Sequence, residues 1–201
     1  MIVNNTKLVT DETPNYAGSM PIAGSKLIGL SIAYGSVSSI LCNSVSLTKA
    51  YSDTSTKSGW ELAVWYLDSP TTGGSVSISA TFSSAVYFAL WDVDDIAKGT
   101  YLDVDADNAS SVTVIDAAVS ALENGGSFSL VHEHVTSTGS FTATGDQSED
   151  NEDTSNASGH VLSAGESDTH EWTTESDQLT VIAVSFGPLS DRNGLFFGTG
   201  F

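Results

Sequence analysis

A single cysteine, Cys42, stands in this chain, so no disulfide joins two of its own residues. It sits in the apolar run Ile40-Leu41-Cys42 and reads as a small buried hydrophobe. Basic residues are scarce: six against 25 acidic ones, for a net charge of −19 and a pI near 4.1. A field of that sign repels phosphate backbones and anionic lipid, which argues against nucleic acid and membrane surfaces as partners. It suits plain solubility, a salty medium or divalent cations alike. No run approaches the roughly 20 apolar residues of a spanning helix. The first residues, MIVNNTKLVTDETPNYAG, hold no basic stretch followed by an apolar one. The expectation is a chain that reaches the outside of cells without an export leader, as virion proteins do on lysis. A domain cut from a larger secreted protein is the alternative.

Catalytic signatures are missing too. There is no G-x-S-x-G elbow, no glycine loop to cradle phosphate, and no histidine beside Cys42. Carboxylate pairs carry no weight, since 25 acids always offer some pair. The chain is expected not to be an enzyme. Sustained helical periodicity is also lacking.

What is present is strand chemistry. From Ser75 to Ser83 the residues alternate without a break, with Val76, Ile78, Ala80 and Phe82 on one side and Ser or Thr on the other. Such alternation predicts a strand with one face on a core and one in water. Flanking runs, Glu61 to Leu67 and Val86 to Trp91, are apolar on both sides and rich in strand-forming Trp, Tyr, Phe and Val. Ser69-Pro70 and Gly73-Gly74 between them are turn chemistry. The fold class is all-β, an antiparallel β-sandwich for which jelly-roll connections are one option, with extended N- and C-terminal arms. Leu47, Leu62, Val64, Tyr66, Ile78, Phe82, Phe88, Val181 and Val184 are the expected core. Residues 1–25 read as an N-terminal arm with an edge strand over Val3 to Val9. Residues 26–188 are the sandwich and 189–201 an aromatic tail. Ala117 to Leu122 is expected to form one or two helical turns, and the acidic stretch Gly145 to Gly159 an exposed loop.

The same stretch carries a resemblance. Asn43, Val45, Leu47, Thr48, Lys49 and Ala50 are followed by Glu61, Leu62, Trp65, Tyr66 and Leu67. Pro70, Val76, Phe82, Ser83, Ser84 and Ala85 complete the pattern. It resembles a β-sandwich domain of bacteriophage structural proteins and of large bacterial surface proteins. In that pattern a glycine usually follows the asparagine, whereas here Ser44 does. The resemblance implies a virion structural protein, a capsid decoration or cement protein or a tail-associated part. Its partners would be other virion subunits in a homo-oligomer. The alternative is an extracellular carbohydrate-binding or adhesion module, with Trp60 and Trp172 as candidate sugar platforms.

Three groups of residues are candidates for sites. Asp103, Asp105 and Asp107 alternate as the opening of a calcium loop does, but Asn108 and Val114 replace the Gly and Glu of an EF-hand. Calcium and a solvated acidic turn therefore both remain open. His132 and His134 share a strand face and match the start of the cupin histidine pattern, which then fails for want of its Glu and second histidine motif. Ile2 and Val3 on the edge strand, with Phe196, Phe197 and Phe201 in the tail, are the expected partner contacts.

Overall fold

The computed structural model describes residues 1–12, 15–134, 140–145, 147–152 and 155–189. Strands are numbered along the chain. A five-stranded sheet has the order β1 (Ile2–Glu12), β9 (Val86–Asp94), β3 (Lys26–Tyr34), β7 (Trp60–Asp68) and β6 (Thr48–Asp53). A four-stranded sheet has the order β2 (Asn15–Ile22), β8 (Gly73–Phe82), β4 (Val37–Cys42) and β5 (Val45–Ser46). The third runs β10 (Asp103–Ala121), β15 (Glu166–Phe186), β11 (Gly126–Glu133), β14 (Asn156–Leu162) and β13 (Ser148–Glu152), with β12 (Thr142–Thr144) paired to β15. All pairings are antiparallel.

The five-stranded sheet is the middle layer. Leu27 of β3, Trp65 of β7 and Phe88 of β9 pack with Val76, Ile78, Ala80 and Phe82 of β8. Their sequence neighbours Ile28, Leu30, Val64, Trp91 and Val93 point the other way and pack with Phe128, Leu130, Ile182 and Val184 of the third sheet. This is why β7 and β9 are apolar at both parities while β8 alternates. Each fully buried large side chain contributes roughly 1.5–3 kcal/mol. The expected core residues are buried, except that Tyr66 is only partly covered.

The third sheet curls on itself. Register shifts between Ala109 and Val114, with Ser111 at φ 60°, bend the long β10–β15 pair. Its outer half then lays Ile115, Ala117, Val119 and Trp172 over Val131, Val181 and Ala183, enclosing a second core in a nearly closed barrel.

Several expectations are corrected here. Ala117 to Leu122 is not helical: through Ala121 it is the end of β10, buried at every second residue from Ile115. Burial period overrides the helix propensity of alanine. Of residues 1–25, β1 is the expected edge strand, but the rest is no arm, because Asn15–Ile22 is a strand paired to β8. The acidic stretch is not wholly a loop either. Ser148–Glu152 pairs with β14, and Asp150 accepts hydrogen bonds from Trp91 Nε1 at 2.6 Å and His160 Nδ1 at 2.8 Å. Phe196, Phe197 and Phe201 lie outside the described residues.

Registers place the ends of the chain. Ile2 opposes Asp94, Lys26 opposes Asp68 and Val93, and Gly126 opposes Phe186 and Leu162. Met1 lies against Gly126, and Gly125 lies against the Phe186 carbonyl, so neither glycine has room for a side chain. Met1 and the C-terminal end of β15 therefore share one pole. At the other pole Tyr34 opposes Trp60, and His132 opposes Thr180. The poles stand roughly 26 Å apart, at ~3.3 Å per residue along β3.

Candidate functional site

The pole away from Met1 and the C-terminal end of β15 holds a pocket of about 300 Å³. Its walls come from strand ends: Tyr34 closes β3, Trp60 opens β7, Tyr87 is the second residue of β9, and His132 and Glu133 close β11. A strand end releases its side chains from the sheet-on-sheet core, so large rings there stay only partly covered. Tyr34 is 54% exposed and forms the outer lip.

The rings are ordered against one another. Tyr87 stacks on His132 with centroids 3.8 Å apart, and Trp60 lies nearly parallel to Tyr87 at 6.3 Å. His134 meets Trp60 edge-on at 4.5 Å, and Tyr34 does so at 5.6 Å. The Lys57 ammonium stands 5.4 Å from the Trp60 ring centre.

Hydrogen bonds fix both imidazoles. His132 Nδ1 lies 2.8 Å from Asn156 Oδ1, an acceptor, so Nδ1 donates. Thr180 Oγ1 donates to Asn108 Oδ1 at 2.9 Å, which leaves its lone pairs to accept from His134 Nε2 at 2.6 Å. His134 Nδ1 is thus a bare acceptor, with no hydrogen-bond partner among the described residues. Burial, then the neighbouring His132 and Lys57, push His134 down to about 2. It is neutral at any ordinary pH. The two histidines do share a site, but the nitrogens Nδ1 of His132 and Nε2 of His134 are committed to neighbours. No group of three His, Cys, Asp or Glu side chains converges on a metal position among the described residues.

Asp103, Asp105 and Asp107 are accordingly not gathered around a cation position. Asp103 accepts from the amides of Val104 at 2.9 Å and Ser120 at 2.8 Å, and Asp105 from those of Ala106 and Ala118, both at 2.9 Å. Asp107 accepts from the Asn108 amide at 2.7 Å. Carboxylates of the first half of β10 thus satisfy amides of the half that doubles back. Asp92 has a similar role, accepting from Asn5 and from the amides of Ala23 and Gly24 in the turn before β3.

A second buried polar cluster lies inside the curled sheet. Ser127 Oγ donates to Asp168 Oδ2 at 2.7 Å, and His170 Nε2 lies 2.8 Å from Ser127 Oγ. The serine has one proton and gives it to the carboxylate, so His170 must donate to the serine. A nucleophile relay puts histidine between serine and carboxylate. Here the serine is in the middle and fully buried, so these bonds tie strands together.

The remaining expectations divide. Trp172 is fully buried with Nε1 on Ser129 Oγ at 3.2 Å, so it offers no platform, whereas Trp60 lines the pocket. Ile2 is 53% exposed beside Met1, while Val3 packs against the core of its own domain. Tyr34 and Tyr87 escaped sequence reading. The available signal was an aromatic within two residues of one end of three adjacent strands of one sheet.

No family profile matches the chain, and no curated protein does. A crystal structure of a conserved protein of unknown function from Pseudomonas aeruginosa aligns with 92% of this chain and 82% of its own. The two are 10% identical with a TM-score of 0.33, a likeness too slight to carry an argument.

Proposed function

We propose that this chain is a non-enzymatic virion structural protein, a capsid decoration or tail-associated component seated by the pole that holds Met1 and Leu189. One observation carries the reading. Ile2, Leu102, Leu122, Leu162 and Leu189 are each about half exposed or more, and all lie at that pole. Leu102 and Leu122 flank Gly187, Leu162 opposes Gly126, and the Leu189 amide donates to Asp95 O at 2.9 Å. An apolar cluster on an otherwise acidic surface marks a contact with another protein. A neighbouring subunit of the same particle is the occupant proposed.

The test is incorporation. Mass spectrometry of density-purified particles should find the chain at structural copy number. Leu122→Asp, or a chain ending at Leu189, should keep its unfolding midpoint and lose incorporation. Absence of the intact chain from particles defeats the reading. A second reading, an extracellular adhesion module, is favoured by the ring-lined pocket, and would put the chain in the cell-surface fraction instead.

A further inference from the structure

We propose that the pocket formed by Tyr34, Trp60, Tyr87, Glu133 and His134 binds a neutral pyranose ring of a glycan. This deepens the adhesion reading and is independent of particle incorporation.

Size comes first. A cavity of about 300 Å³ lies at the small end of ligand sites, enough for one sugar ring and too small for a nucleotide or a folded peptide segment. Wall chemistry comes next. A pyranose presents apolar C–H faces and a rim of hydroxyls, and so needs flat aromatic surface flanked by a few polar groups. Trp60, Tyr87 and Tyr34 supply the surface. Glu133, Ser155 and His134 line the same cavity and supply the polar flank.

Charge then selects among ring-bearing ligands. The net −19 of the chain and the Glu133 carboxyl oppose sialylated or uronic sugars, and the buried His134 imidazole offers no cation to offset them. A quaternary ammonium, the other frequent guest of aromatic walls, meets like charge from Lys57, already placed over Trp60. A neutral sugar meets neither penalty. The position also fits presentation, because the pocket pole faces away from the apolar seat.

The experiment is calorimetric titration of the intact chain with the methyl glycosides of glucose, galactose, mannose and N-acetylglucosamine. Sialyllactose and tetramethylammonium are run beside them. At least one neutral glycoside is expected to bind, and Tyr34→Ala and Trp60→Ala should each weaken it by about tenfold or more. Tyr34 is exposed, so its variant should unfold at the unchanged temperature and separates binding from folding. The inference is overturned if no neutral glycoside binds the folded chain, or if binding survives both substitutions. Preference for sialyllactose or tetramethylammonium overturns it equally. Particle incorporation measured on the same Tyr34 variant should be normal, so failure here leaves the structural reading standing.

Discussion

Asn43 and Ser44 sit at φ 48° and 68°, joining β4 to β5 through the pair Cys42 and Val45. Two consecutive positive φ values in a two-residue hairpin define a turn that favours Asn followed by Gly. Ser44 fills the position at a steric cost that glycine lacks. Ser44→Gly should therefore raise stability by about 0.5–1 kcal/mol, the strain relieved less the greater unfolded-state freedom of glycine. Urea unfolding would show a higher midpoint; an unchanged or lower one would mean that Ser44 is not strained. Spacing also hid a partly buried pair here. Glu61 accepts from Lys49 Nζ at 2.8 Å, Ser52 Oγ at 2.6 Å and the Val37 amide at 2.8 Å. Burial alone would raise its pKa, and these donors overcome that and hold it below the ordinary value. Lys49 and Glu61 were visible as part of a pattern, yet only pairing of β6 with β7 brings them together.

Among the elements, the doubled-back β10–β15 pair departs most from what periodicity suggests. Alternating aspartates before an alternating Ile-Ala-Val run look like a ligand loop before a helix. They are two halves of one strand, the first satisfying amides of the second. Fold reversal depends on the bulge near Ser111, which has no local signature beyond a Ser-Ser pair. The Ser120 amide holds the Asp103 carboxyl below its ordinary pKa, and partial burial opposes this weakly. Asp103→Ala should cost about 1 kcal/mol, the usual range for one partly exposed charge-assisted bond. Excess chelator should leave the melting temperature of the intact chain where it was. A fall in chelator, restored by calcium, would reinstate the cation reading.

For the whole molecule, strand content and one-faced or two-faced burial were legible, because side-chain alternation is local. The number of layers was not, since a strand apolar on both sides says only that something covers each face. Acid response belongs at this scale as well. Burial pushes His170 down to about 3 and His134 to about 2, from an ordinary 6.5. Below pH 6.5 the unfolded chain gains protons that the folded chain refuses, so stability falls as pH falls, until the folded values are reached. His170 alone removes roughly 1.4 kcal/mol per pH unit in that window, and His134 adds a lesser amount because solvent reaches it in part. Most carboxylates stay ionised down to about pH 5, so relief of charge repulsion does not offset this. Urea midpoints should drop between pH 7 and pH 5. Equal midpoints would mean that both imidazoles find protons without unfolding.

The three inner strands of the middle sheet, β9, β3 and β7, are covered on both faces. In a library of single substitutions read out by folding, β8 should therefore accept polar residues at Ser75, Ser77 and Thr81 and refuse them at Val76, Ile78 and Ala80. Along β3 from Leu27 to Ala33 no such rhythm is available: every residue there is buried, and consecutive ones answer to different cores. Neutral drift is thus open to the outer sheets and closed to the middle one. Over long divergence, relatives of this chain should agree on the filling and differ on the covers.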